Sequence, residues 1–222
     1  MFTIRNKSNL APFFLVVIAL TFLLGLVNDA KANSIGFPQI IYDSSQGPGQ
    51  NIFTTQGLHY TAGVLAVSAK ALAVTYDGIN YIPLVNGTMD FRASLESSSV
   101  SNDSVTGFFT GVGGDLIVSD MTGNLLLAYY GGGDRLESRT LEGSFGATTG
   151  NAILTFEMES GSLAPFYAAS DGIGTNIGFP FNISPAFSAT TFANNFDGHI
   201  AGTIGPAIPE PSTPYSQNTR MH

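Results

Sequence analysis

The 222 residues carry 8 Lys and Arg against 16 Asp and Glu, a formal net charge of −8, and no cysteine. Such a balance repels nucleic acid and anionic membranes, and no Lys/Arg stripe is present that could follow a phosphate backbone. Without cysteine there is no disulfide, no thiolate nucleophile and no Cys-type zinc site, so the fold must be held by burial alone.

The chain opens with Arg5 and Lys7, followed by Ala11 to Val27, an apolar stretch free of charge. That is the n-region and h-region of a secretion signal. Ala30-Lys31-Ala32 supplies the small-x-small pattern that a signal peptidase cuts, so residues 1–32 are expected to be a signal peptide removed after Ala32. The membrane is expected to be met only through this segment, if it stays uncleaved. Removing it takes away three of the basic residues and one acidic one, which leaves the remainder more acidic still.

Residues 34–205 read as one β-domain. Abundant glycine, 26 residues, together with only 11% charged residues favours strands and turns over exposed helices. Asp43 to Asn51 reads as a loop. Short apolar runs follow at Val64 to Val67 and Ala71 to Tyr76, and then Met89 to Glu96, in which apolar and polar residues alternate strictly. Further runs fall at Asp115 to Val118 and Asn124 to Tyr130. Leu154, Phe156 and Met158 alternate with Thr155, Glu157 and Glu159, and Phe196, Ile200 and Ile204 alternate with Asp197, His199 and Thr203. Turn signals separate these runs at Asp77-Gly78, Asn86-Gly87, Gly113-Gly114, Gly131 to Asp134 and Asp171-Gly172.

Gly178 to Asn195 reads as a loop whose rings, Phe179, Phe181, Phe187 and Phe192, plug an open end of the core. The tetrapeptide Ile-Gly-Phe-Pro occurs at Ile35 and again at Ile177, too short a match to predict an internal repeat. The spacing of runs and turns predicts an all-β, antiparallel two-sheet β-sandwich of jelly-roll type, with a partly closed β-barrel as the alternative.

No assembled catalytic motif is present. Glu157 and Glu159 lie two apart on one strand and share a face, as a glycosidase pair would, but the apolar residues of the other face put both on the solvent side. His59 and His199 lack metal-ligand spacing, and Asp115, Asp120, Asp134 and Asp171 lack a calcium-loop spacing, so no metal and no cofactor is expected. Gly172, Gly174 and Gly178 lack the helix of a nucleotide loop. Sequons at Asn86, Asn102 and Asn182 would matter only in a eukaryotic secretory route. Tyr129-Tyr130, placed before three glycines, is the best candidate for carbohydrate contact, because one of two adjacent strand rings faces out to stack on a sugar.

Residues 206–222 read as a disordered tail containing Ile208-Pro209-Glu210-Pro211-Ser212-Thr213. An exported, cysteine-free, glycine-rich β-protein with this motif resembles the PEP-CTERM proteins of biofilm-forming Gram-negative bacteria. In that family Pro-Glu-Pro precedes a transmembrane helix and an Arg cluster read by an exosortase. The resemblance implies passage to the cell exterior alongside exopolysaccharide, with Pro209, Glu210 and Pro211 as the sorting motif. After Thr213 the chain reads PYSQNTRMH, which has no apolar run able to cross about 30 Å of hydrocarbon, so the transmembrane part of the family signal is missing. The expectation is a secreted, non-catalytic matrix or cell-surface protein whose partners are exopolysaccharide or other surface proteins. A glycan-active hydrolase or lyase is the alternative.

Overall fold

The computed structural model describes residues 35–129, 140–167 and 175–207, all within one compact unit, Asn33–His222. Ala30 and Ala32 of the leader, Tyr130, and the tail with Pro209, Glu210 and Pro211 lie outside the described residues.

Eleven strands follow one another: β1 (Gln39–Asp43), β2 (Gly57–Thr61), β3 (Val64–Thr75), β4 (Tyr81–Pro83), β5 (Thr88–Val100), β6 (Ser104–Asp120), β7 (Gly123–Tyr129), β8 (Thr140–Ser144), β9 (Thr149–Ser160), β10 (Thr175–Ser184) and β11 (Phe196–Pro206). A 3₁₀ turn, Ser44–Gln46, follows β1, and one short helix, α1 (Ala164–Tyr167), follows β9. Every pairing is antiparallel, as the alternation predicts.

The strands form one sheet that returns on itself. Its ladder runs β1-β11-β10-β9-β7-β6-β5-β3, and β3 then pairs with β1. The interior of the resulting barrel is solid. Leu65, Val67, Met89, Phe91, Phe179 and Phe181 point inward from opposite walls, and the cavity they help line holds only about 20 Å³. That space fits roughly one water-sized sphere, whereas small-molecule sites need about 300 Å³ or more. Opposite walls therefore pack on one another as the layers of a sandwich do, and this accommodates both forms of the all-β expectation.

A repeat of topology underlies this closure. β2 and β1 sit end to end in one slot between β3 and β11, and β8 and β7 sit the same way between β9 and β6. The series β1, β2, β3, β5, β6 thus recurs as β7, β8, β9, β10, β11. Ile40 opposes Ile204 as Ala128 opposes Leu116, and Phe91 on β5 takes the place that Phe179 holds on β10. The sequence carries little trace of it, since only the inward or outward sense of each position is kept. The two Ile-Gly-Phe-Pro copies do not correspond under this repeat, although both border the end of β11: Ile35 bridges Ala207, and Ile177 opposes Pro206.

Several local expectations are corrected. Val64 to Val67 and Ala71 to Thr75 belong to one strand, which ends one residue before Tyr76, because Ser68 and Lys70 fall on the outer face and do not break the ladder. Gly113-Gly114 is no turn but lies inside β6, the longest strand. The segment from Gly178 is strand as far as Ser184, with Phe179 and Phe181 in the wall itself. Only Phe187 and Phe192 act as plugs. The first lies over Gly143 and Gly150, where any Cβ would collide with its ring. The second meets Tyr60 and Phe109 edge to face, and its carbonyl accepts the Tyr60 hydroxyl at 3.1 Å.

Candidate functional site

The outer wall of the first half is covered by its own chain. Between β1 and β2 the loop crosses β3 and β5, where Asp90 is fully buried although it points outward. Its carboxylate accepts the Gln50 amide at 2.6 Å, the Ile52 amide at 3.3 Å and the Ser68 hydroxyl at 2.8 Å. Gln50 also donates to Ser119 at 2.8 Å. The approach requires glycine at position 49, where a Cβ would stand 2.5 Å from the Asp90 carboxylate. Under this cover the outer face of β3 is buried as well at Ala66 and Ser68.

Beside it a row of polar and aromatic residues crosses the wall. Arg92 on β5 opposes Asp115 on β6, Asp115 opposes Tyr129 on β7, and Tyr129 opposes Glu157 on β9. Arg92 and Asp115 face outward, since Phe91 and Leu116 beside them face the core, and Tyr129 and Glu157 continue the same line of register positions on β7 and β9. Arg92 binds Asp115 at 3.0 Å and places its guanidinium 4.7 Å from the centre of the Phe53 ring. The covering loop thus adds an aromatic residue to one end of the row. Arg92 and Asp115 remain partly exposed, so their pair is a modest contributor to stability.

The row contains Tyr129, Glu157 and Asp115, which the sequence singles out separately, the last only as a loop aspartate without calcium-loop spacing, and joins them to Arg92 and Phe53, which it does not. Glu159 lies near the end of β9 and is exposed. The nearly continuous apolar run of β3, interrupted only by Ser68 and Lys70 before Thr75, is a sequence sign of a strand covered on both faces, but no local signal joins Arg92 to Phe53. A planar cation over a ring, a carboxylate and a tyrosine position in one row offer stacking and hydrogen-bonding groups of the kind that bind sugar hydroxyls.

A second grouping was not foreseen. His59 on β2 opposes Asp197 on β11, with Nδ1 2.6 Å from the carboxylate. Its Nε2 lies 3.4 Å from the Thr55 hydroxyl and 3.3 Å from the Gln56 carbonyl. The order acid, imidazole, hydroxyl is that of a hydrolase triad. However, the Gln56 carbonyl competes for Nε2, and Asp197 is 78% exposed, where a triad acid is normally buried. The pairing instead ties β2 to β11 across the slot. Among the described residues no group of three His, Cys, Asp or Glu side chains could hold a metal ion.

Among the described residues two buried side-chain acceptors are left without partners. Asn151 on β9 and Asn182 on β10 both face outward, yet their Oδ1 atoms are buried and accept no hydrogen bond. At the opposite extreme the Tyr167 hydroxyl, on α1, is 2.7 Å from the Pro38 carbonyl and 3.1 Å from that of Ile204. Burial, reinforced by Tyr76, pushes its ionisation well above the usual tyrosine range, so it acts as a fixed donor that pins α1 onto β1 and β11.

The fold and the row together define an antiparallel β-barrel with a filled interior and a decorated outer wall. Comparison with protein-family models, with curated proteins and with solved structures finds no match.

Proposed function

We propose that this chain is an exported, non-catalytic protein of the surface or extracellular matrix of a Gram-negative bacterium, and that it contacts exopolysaccharide through the row from Phe53 and Arg92 to Glu157. The observation that carries the reading is the placement of that row on the outside of a solid barrel: the interior offers no room for a ligand, and the groups suited to sugar sit on a wall that a long polymer can lie along. The leader from Arg5 to Ala32 supports export, and the Pro209-Glu210-Pro211 motif supports the exterior as destination.

The test is a glycan array probed with the exported protein, with and without calcium, beside an Arg92→Ala variant. Binding to acidic or neutral polysaccharide that the variant loses supports the reading. A flat array overturns the glycan part of it, and release of new reducing ends from any bound polymer would replace it with a hydrolase or lyase. N-terminal sequencing of the exported product is expected to begin at Asn33, and an intact leader would make the chain a membrane-tethered module instead.

A further inference from the structure

The row from Arg92 to Glu157 has an apolar rung beside it. Ile117 on β6 and Leu127 on β7 oppose one another, two residues along their strands from Asp115 and Tyr129. Both face outward and are half-buried, since Leu116, Val118, Leu126 and Ala128 on either side of them are sealed in the core. A step of two residues is roughly 6.5–7 Å, so a charged rung and an apolar rung lie side by side on one open wall.

Charge on the polar rung is already matched from within. The Arg92 guanidinium meets the Asp115 carboxylate at 3.0 Å and has the Phe53 ring 4.7 Å away. The other described cation, Lys70, opposes Asp43 on β1 and Thr88 on β5, four residues before Arg92. Glu157 adds a second acid to the same line of register positions. An incoming anion therefore meets more acids than cations along the row.

This balance separates two kinds of polysaccharide. A uronate group only accepts hydrogen bonds, and it is held best by a cation whose charge is not already matched. Seating it here would set it against Asp115 on a chain of formal net charge −8, a like-charge contact that lowers affinity. A sugar hydroxyl both donates and accepts, so it can give to Asp115 and take from Arg92 without dividing the pair. The C–H face of an uncharged sugar ring then finds Ile117 and Leu127 one rung away. Ligand sites generally have this make-up, apolar surface with a few fixed polar groups.

We propose that the wall takes an uncharged polysaccharide, with hydroxyls on Arg92 and Asp115 and C–H faces on Ile117 and Leu127, and discriminates against polymers of uronate. The inference rests on the glycan reading of this wall and names the ligand class within it.

Biolayer interferometry of the exported chain tests this, with dextran, mannan and galactomannan as neutral polymers and alginate and polygalacturonate as uronates, in calcium-free buffer at low and high salt. The expected result is binding to a neutral polymer that changes less than about twofold with salt and is about tenfold or more tighter than binding to either uronate. Asp115→Asn strips the matching charge from Arg92 and is expected to narrow that gap about tenfold, a gain that Arg92→Gln on the same background removes. The pair is partly exposed, so both variants are expected to keep urea midpoints close to the parent's. Uronate bound as tightly as neutral polymer overturns the inference and leaves the glycan reading standing. So does neutral binding that collapses as salt rises, or a gap indifferent to Asp115→Asn. Silence on every polymer overturns both.

Discussion

The ring of Phe91 on β5 lies 5.7 Å from the ring of Phe179 on β10, tilted by 41°, and the two residues hold equivalent places in the two halves of the barrel. The pair therefore stands where the two halves meet, and each ring fills space that the other's wall leaves open. That is how a chain with no disulfide closes eight strand positions around a dry centre: aromatic volume from opposite walls replaces the cross-link.

Truncating either ring is expected to cost about 3–5 kcal/mol, the range for buried phenylalanine. Because both line one space, Phe91→Ala and Phe179→Ala together should cost less than the sum of the single changes, since the second removes contacts the first has already lost. Urea unfolding of the two single variants and the double variant measures this. Strict additivity would mean that the rings do not share a core.

The Asp90 clamp makes a different forecast. Asp90→Ala leaves the Gln50 and Ile52 amides without their acceptor under a loop that still covers them, and leaves the Ser68 hydroxyl only the Asn51 oxygen at 3.3 Å, a loss of about 2–4 kcal/mol. The damage should be local before it is global. Limited proteolysis is expected to cut the variant between Gly47 and Gln56 under conditions that leave the parent intact, with Arg92 losing its Phe53 neighbour as the loop lifts.

How much of this was written in the sequence depends on the range of the interaction. Alternation at Met89 to Glu96 and at Phe196 to Ile204 placed real strands with the correct inward residues, because a period of two is a local property of one strand facing a core. Closure was not legible. It depends on β1 pairing with both β3 and β11, a relation between residues far apart in the chain that leaves no local pattern. Gly113-Gly114 misled for a related reason, since glycine serves in a strand as readily as in a turn when neighbours fix its register. At the site, Tyr129, Glu157 and Asp115 are each noticeable as residue types, while Arg92 and Phe53 become relevant only through register and a crossing loop.

Acid should loosen one turn before the barrel. Hydrogen bonds from the Asn80 and Ile79 amides, with further ones from the Asn80 and Thr75 side chains, hold the Asp77 carboxyl down to about 2 from its ordinary 3.8. A group whose folded value is depressed stabilises above its unfolded value and loses that contribution as pH falls through the folded one. The effect is therefore intact above about pH 4 and gone below about pH 2. Asp77→Asn should melt below the parent at neutral pH, and the gap should narrow steadily between pH 4 and pH 2. A gap that stays constant through that window would show that the charge is not what orders residues 76–80.

Asn151 and Asn182 point the other way, towards a gain. Each hides an oxygen that accepts nothing, and a buried acceptor that has given up water without finding a donor costs about 1–3 kcal/mol. Asn151 is 6% exposed, so water cannot supply the missing bond from the open side. Leucine has nearly the same volume and no polar group, and Asn151→Leu is expected to raise stability by about 1 kcal/mol in thermal or urea unfolding. Asn182, which is less covered, should gain less from the same exchange. A clear loss at Asn151 would mean that its oxygen is needed by something that sits on the outer wall when the protein works, and the ligand screen would then start from the face it shares with Thr149 and Glu142.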